Sequence, residues 1–466
     1  MNNTYQVQTT IAILGGGPAG YVAAVRAAQL GAEVVLIEES EIGGVCLNKG
    51  CIPTKAYLRT SEIAYLIGKS NEFGLNAGLS SVNWKIALDR KDRVVKNLRI
   101  GLEGLLEGSK VQIFRGRGKI VNSQQIKVYS SEKEILVNCK KMIITTGSEP
   151  IKPAIPGMDL KDVLTSDEAL MLHEIPERMV IIGAGAIGLE FASMFNHVGT
   201  KVTVVEVQEM VLPREDRELA EELCKALKRQ GITFKLGGQV LEIKKAESGL
   251  EVVIQRRGKI SSLMTDKILV SVGRKLNVSD DIGALGIHIK DGAVVVNENM
   301  QTNIEDVYAA GDIVGGKLLA HLAFAQGRKA AENALGLKST LNNDTVPSCV
   351  YTNPELASVG IDEKEAERRG IEVLVGCFQI RNNGRALCIG EREGAVKIIV
   401  KKDSKEILGA QILSSHASEM ISELTLAVTL GVKADVIAQM IHPHPTLGEA
   451  IMEACGDAIG RAIHKS

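Results

Sequence analysis

The chain has 466 residues, 45% of them apolar, which is enough for several domains whose cores need no disulfide staples. Its 55 basic and 56 acidic residues nearly cancel, so nothing favours nucleic acid or an anionic membrane surface as a partner. The polar, arginine-poor start MNNTYQVQTT lacks the marks of a signal or transit peptide, no apolar run reaches bilayer length, and six of the eight cysteines are scattered singly, so the expectation is a cytoplasmic protein that neither enters a membrane nor relies on structural disulfides.

The first element is an apolar strand in IAILGGGPAG (11–20), which runs into Gly15, Gly17 and Gly20. An Ala-rich helix follows to Leu30, then the strand AEVVLIEE, with Glu38 at its end eighteen residues after Gly20. This is a complete βαβ dinucleotide fingerprint. Its glycines let backbone approach a pyrophosphate at the helix N-terminus, and its acid accepts from ribose hydroxyls.

GGVCLNKGCIPTK (43–55) comes next, with Cys46 and Cys51 separated by four residues. A disulfide needs Cα atoms within roughly 4.4–6.8 Å. Five steps of strand give about 16 Å. Five steps of helix leave the pair about 140° apart around the axis. A turn closes the gap, and Asn48, Lys49 and Gly50 have turn composition. Periodic apolar residues after Pro53 predict a helix, which puts Cys51 near its N-terminus with Lys55 one turn on. Three readings stand for the pair: a redox disulfide, half of a metal site, or two unrelated buried thiols.

The βαβ pattern returns at 179–206, with Gly183, Gly185 and Gly188, and again an acid, Glu206, eighteen residues after the last glycine. Two nucleotide sites flanking a thiol pair suggest an electron relay between dithiol, flavin and nicotinamide, with FAD at the first site, which the cysteines follow directly. Glu206, with no arginine in the residues just after it, favours NAD over NADP. Glu190 on the second helix can simply complement the helix dipole. Asp312 ends the apolar run DVYAAGD and is by itself a solvated strand-end acid; Gly118 and the TTGS text read as ordinary turns. Roughly the last 120 residues read as a separate domain, with strands in GAVKIIV and ILGAQIL, helical text over 417–440, and the ending HPHPTLGEA. There His444 precedes Glu449 by five residues, the spacing of a base and an orienting acid.

GGVCLNKGCIPTK, TTGSEP (145–150), TNIEDVYAAGDI (302–313), LLAH (318–321), VYTNPELASVG (350–360) and HPTLGEA (444–450), in this order, resemble the pyridine nucleotide–disulfide oxidoreductases, and within them the class I lipoamide branch. The resemblance covers essentially the whole chain. It implies an α/β fold: two Rossmann-like dinucleotide-binding domains, for FAD and for NAD, plus a C-terminal α+β dimerisation domain. The implied boundaries are 1–148 for FAD, 149–272 for NAD, 273–342 completing the FAD domain, and 343–466 for the interface. It implies a redox-active Cys46–Cys51 disulfide. FAD contacts would come from Gly15, Gly17, Gly20, Glu38, Gly118, Thr146, Gly147, Ser148, Asp312, Leu318, Leu319, Ala320 and His321. NAD contacts would come from Gly183, Gly185, Gly188, Glu206, Val240 and Gly273.

The same resemblance pairs Lys55 with Glu190 beside the flavin. It makes His444, with Glu449, the base in the partner subunit's site. The implied reaction is oxidation of protein-bound dihydrolipoyl groups by NAD in a homodimer serving a 2-oxoacid dehydrogenase or glycine cleavage system, with no metal. A glutathione-type reductase is opposed by Glu206 and a mercuric reductase by a tail, GRAIHKS, without cysteines. A mainly structural flavoprotein subunit is the other class. The chain departs from the family text at Leu276, Leu322, Gln326 and Ser414–Ser415.

Overall fold

A computed structural model describes residues 5–78, 81–131 and 133–465. It divides into two compact units, one of Met1–Ala56, Ile86–Ile151 and Gly273–Leu341, the other of Tyr57–Lys85, Lys152–Val272 and Asn342–Ser466.

The first unit is built on the strand Tyr5–Leu14, which pairs in parallel with Val34–Glu38 and Glu134–Ile144. Gln112–Arg115 extends the parallel sheet at one edge, and Val307–Ala309 pairs with the end of Glu134–Ile144. The start of that long strand also carries the antiparallel strands Gln125–Tyr129 and Arg117–Asn122. Parallel strands are covered on both faces, so their text is continuously apolar and not alternating. Ile11, Ile13 and Leu36 pack one way, against Ala19, Ala23 and Ala27 of the helix Pro18–Gln29. Ala12, Leu14, Val35 and Ile37 pack the other way, against Ile126 and Val128.

The second unit repeats this plan. Thr233–Leu236, Lys201–Glu206, Arg178–Ile182, Lys267–Val270 and Val163–Leu164 form a parallel sheet, and Gly238–Ala246, Gly249–Arg256 and Lys259–Thr265 an antiparallel meander. The same unit holds a five-stranded antiparallel sheet in the order Ser348–Val350, Glu355–Gly360, Ile407–Ser414, Ala395–Lys401, Val373–Gln379. The helices Ala417–Leu430 and Glu449–Ala458 supply Ile421, Leu424, Ile451 and Ala454 to the core on one side of it. The helical text of 417–440 is two helices, because Gly431 ends the first in the left-handed region at φ 64° and Ala434–Gln439 begins the second.

In the first unit the helix Ala320–Ala334 lies against Pro18–Gln29. Gly327 makes that approach possible: a Cβ there would overlap the backbone carbonyl of Ala19. By contrast Gly101, in the helix Trp84–Gly108, is exposed and faces open space. Gly327→Ala should therefore destabilise the protein by about 1–3 kcal/mol. Gly101→Ala should be neutral or stabilise by up to about 1 kcal/mol. Paired thermal melts check the contrast, and equal shifts would contradict the packing argument.

Candidate functional site

Each parallel sheet ends in a glycine turn of the same construction. Gly15 has φ 108° and Gly183 has φ 105°, left-handed conformations that glycine adopts without strain. A Cβ on Gly20 would overlap the Gly15 carbonyl, and one on Gly188 the Gly183 carbonyl, so each helix rests directly on its own turn. Around the middle glycine the situation reverses. A Cβ on Gly17 would meet nothing nearer than 3.8 Å, and one on Gly185 nothing within 4 Å. Both helices begin at this open side, where unpaired N–H groups and the dipole favour an anion. The strand-end acids close both turns identically. Glu38 accepts from Gly16 N at 2.6 Å and Ser40 N at 2.8 Å; Glu206 accepts from Ala184 N at 2.7 Å and Gln208 N at 2.9 Å. An open cradle with a carboxylate fixed beside it fits a dinucleotide pyrophosphate and ribose at each position.

The cysteines lie in the first unit. Gly44–Lys49 is a short helix, Gly50 leaves helical geometry at φ −141°, and Cys51–Gly68 begins a second helix. The expected turn over 48–50 is thus a helix break at Gly50 alone. Asn48 and Lys49 stay helical because the Asn48 amide donates to Ile42 O and Gly44 O, both at 3.0 Å, and so braces the short helix. Cys51 is the first residue of its helix, and Thr54 Oγ1 donates to Gly50 O at 2.7 Å. The break brings the two half-buried thiols side by side. The Cys51 side chain hydrogen-bonded to it, and then burial, push the Cys46 thiol up, while Lys55 pulls it down. Tyr21 adjoins the pair, its phenol pushed up by burial and by the Cys46 sulfur, and its ring lies 5.8 Å from that of Phe324.

Asp312 lies at the start of a single 3-10 turn, Asp312–Val314, after Gly311. Its Oδ2 accepts from Ser148 Oγ at 2.5 Å, and that hydroxyl accepts from Arg274 Nε at 2.7 Å. Arg274 also donates to Ser148 O at 2.6 Å. Thr146 and Asn277 exchange side chain-to-backbone bonds of 2.8 and 3.0 Å, and Asn277 N donates to Gly147 O, so this corner is tightly fixed. Leu318 and Leu319 are half-buried and lead into Ala320 and the exposed His321 at the start of a helix. Gly118 is in the strand Arg117–Asn122 and not a turn; a Cβ there would press on Leu14 and Ile37, so its smallness has a packing reason.

In the second unit, Glu190 is buried and accepts from Tyr351 N at 3.1 Å. The Val240 side chain is taken up in the core with Val205 and Ile254, leaving its backbone for any cofactor contact. Gly273, at φ 133°, belongs to the first unit, where its carbonyl accepts from Ile151 N. His444 Nδ1 lies 2.9 Å from Glu449 Oε1, and Thr446 N donates to Glu449 Oε2 at 2.8 Å. The His444 side chain is 78% exposed, so Nε2 can meet a substrate. Burial raises the Glu449 carboxyl, but the Thr446 N–H and His444 outweigh it and hold the acid below its usual range. His442 is instead buried, between Glu423 and Met440 O, as befits a structural residue.

Sequence reading missed Arg274, Tyr21 and Gln326, whose Oε1 accepts from Gly311 N at 2.9 Å beside Asp312. The departure at Gln326 thus has a positioning role, and Leu322 is a buried core residue. Ser414 buries a hydroxyl without a hydrogen-bond partner, Ser415 hydrogen-bonds to Glu391, and nothing in the structure explains that departure. Among the described residues no His, Cys, Asp and Glu group could hold a metal ion, and no helix is long and apolar enough to cross a membrane.

Residues 9–327 match the model of the pyridine nucleotide-disulphide oxidoreductases, and residues 346–455 match the dimerisation domain of the same proteins, which supports a homodimer. The chain is 40% identical to a dihydrolipoyl dehydrogenase of Bacillus subtilis, over 97% of this chain and 98% of that one. It is 38% identical to that of Geobacillus stearothermophilus, over 99% and 98%. Among solved structures, LpdA from Mycobacterium tuberculosis superposes with a TM-score of 0.89 at 26% identity, covering 96% of this chain and 99% of that one. The Escherichia coli flavoprotein disulfide reductase RclA, as a Cu(II) complex, superposes at 0.86 with 28% identity over 97% and 99%. On these matches the chain belongs to the pyridine nucleotide-disulphide oxidoreductase family, whose cofactors are FAD and NAD.

Proposed function

We propose that the chain oxidises protein-bound dihydrolipoyl groups with NAD, as the flavoprotein component of a 2-oxoacid dehydrogenase or glycine cleavage system in the cytoplasm. The observation that carries this reading is the adjacent Cys46 and Cys51, at a helix start in the unit that also holds the first glycine turn. The 37–40% identity to dihydrolipoyl dehydrogenases over nearly the whole chain supports the substrate class.

In this reading Gly15, Gly17, Gly20 and Glu38 would hold FAD, together with Asp312, which Ser148 and Arg274 fix. Gly183, Gly185, Gly188 and Glu206 would hold NAD. FAD would supply a two-electron acceptor and NAD a hydride acceptor.

His444 Nε2 takes the proton from one substrate thiol. Glu449, held as a carboxylate, keeps the imidazole proton on Nδ1 and stabilises the imidazolium that results. The substrate thiolate attacks Cys46 Sγ, breaking the Cys46–Cys51 bond and leaving Cys51 as thiolate. The second substrate sulfur then attacks the first at the mixed disulfide, its proton passing to the departing Cys46 sulfur. The lipoyl group departs as a disulfide, and His444 keeps the first proton. The two electrons of the substrate now reside in the Cys46–Cys51 dithiol. In this reading His444 serves the cysteine pair of the partner subunit in a homodimer, the assembly that the dimerisation-domain match supports.

Three outcomes test the reading. Denatured under alkylation, oxidised protein should leave Cys46 and Cys51 unlabelled, and dihydrolipoamide should make both react, read by peptide mass; labelling of both before reduction would remove the disulfide from the mechanism.

Glu206→Ala should raise the ratio of NADP to NAD kcat/KM by about tenfold or more, because a carboxylate beside the ribose repels a 2′-phosphate. A wild-type preference for NADP would refute the assignment.

His444→Ala should lose about 10²–10⁴-fold of dihydrolipoamide turnover. NADH-to-dye transfer and flavin content should survive, since neither requires a thiol proton to be removed. Mixed dimers of inactive His444→Ala and inactive Cys51→Ser subunits should regain activity if the site is shared; heterodimers that form and stay inactive would confine His444 to its own chain or remove it as the base.

A further inference from the structure

A lysine occupies a position where the sheet calls for an apolar residue. In the strand Ala395–Lys401, Val396, Ile398 and Val400 face the helices of the C-terminal core. Ala395, Lys397 and Ile399 alternate with them, face the other way, and are just as buried. A buried ammonium is tolerated only with partners. Lys397 Nζ lies 3.0 Å from Asp216 Oδ2 and 3.2 Å from Glu218 Oε2, and pairs with Glu363. Glu218 and Glu363 lie at the solvent rim, but the Asp216 side chain is only 7% exposed, so Lys397 and Asp216 form the enclosed pair.

Asp216 is also the N-cap of the helix Arg217–Arg229, accepting from Leu219 N at 3.1 Å. The residue before it is held by the same sheet: Glu215 accepts from Ser348 Oγ at 2.9 Å and Ser358 Oγ at 2.7 Å. The loop ending at these anchors begins at Glu206, the acid of the second glycine turn. Gln208 N donates to Glu206 Oε1, and Gln208 O accepts from Gly237 N at 2.8 Å. Leu212 N donates to Ala184 O at 3.1 Å, and Ala184 N in turn donates to Glu206 Oε2. Leu212 is buried at φ 46°, a left-handed conformation that costs a branched residue energy and persists only when its surroundings hold it. The chain is thus fixed to the glycine turn at one end and to the C-terminal sheet at the other, with three residues between Leu212 and Asp216.

We propose that Lys397 is a positioning residue for NAD: by fixing Asp216 it holds the 207–216 loop, and through that loop Glu206 and Ala184, in the geometry that binds the dinucleotide. This rests on the second fingerprint being the NAD site. The physical link is the cost of an uncompensated buried charge. Without Lys397, Asp216 turns toward water, the helix cap loosens, and the loop end moves with it.

The test uses the full-length, flavin-loaded protein and reads the NADH Kd by fluorescence titration alongside KM for NAD and for dihydrolipoamide. Lys397→Met should raise the NADH Kd and the NAD KM by about fivefold or more, the lower range of coupling between linked sites. The dihydrolipoamide KM and flavin content should stay within about twofold on the same scale of coupling. Lys397→Arg, which keeps the charge, should recover most of the affinity. If Lys397→Met does not accumulate as folded protein, the double variant Ser348→Ala, Ser358→Ala releases Glu215 while keeping the buried pair, and should weaken NADH in the same direction. Folded variants that melt lower yet bind NADH as wild type does would overturn the proposal, reducing Lys397 to a stability element. Failure of the wild-type protein itself to bind NADH would instead overturn the reading of the second fingerprint, and this inference with it.

Discussion

The structure depends on one close approach, a helix resting on the carbonyl of its own glycine turn. Gly20 meets the Gly15 carbonyl and Gly188 meets the Gly183 carbonyl, with no room for a methyl group at either place. Each helix is capped by the middle glycine, so its free N–H groups open there. The middle glycine then leaves the adjoining space vacant. A pyrophosphate needs this combination of nearby donors and absent side chains. The strand-end carboxylate contributes because the same geometry brings its two oxygens to the turn amide and to the amide two residues on.

The remaining chemistry is arranged around that approach. The first turn fixes the helix Pro18–Gln29, whose Tyr21 borders Cys46. The helix break at Gly50 does for the thiols what neither a strand nor an unbroken helix can: it shortens a five-residue separation until the two sulfurs interact. Cys51 is thereby placed as the first residue of a helix, with its side chain hydrogen-bonded to Cys46. That neighbour and burial push the Cys46 thiol up.

Whatever is local and periodic in this protein could be read from the sequence. Both fingerprints, their terminal acids and the helix start at Cys51 follow from short-range rules on turns and apolar spacing. What could not be read are residues whose partners are remote. Gly118 reads as turn composition, yet it is a strand residue kept small by Leu14 and Ile37. Arg274 and Ser148 are 126 residues apart and orient Asp312 together. Lys397 in GAVKIIV looks like an exposed member of an alternating strand, but the strand is covered on both faces and its partner lies 181 residues away. Periodicity tells which residues share a face; it does not tell whether that face is wet.

His444 and Glu449 illustrate the same division in acid–base terms. Their five-residue spacing is visible in the sequence, but the proton state of the acid depends on Thr446. The folded carboxyl lies below its ordinary value because the Thr446 N–H and His444 both donate to it against the effect of burial. A depressed carboxyl contributes stability above its unfolded pKa and loses it as pH falls through the folded value. Near neutral pH Glu449 is therefore an anion with one oxygen committed to the backbone and the other to His444. The imidazole is left a single free nitrogen, Nε2, directed at solvent by an exposed ring. The fold thus fixes the charge of the acid and leaves the imidazole one exposed nitrogen.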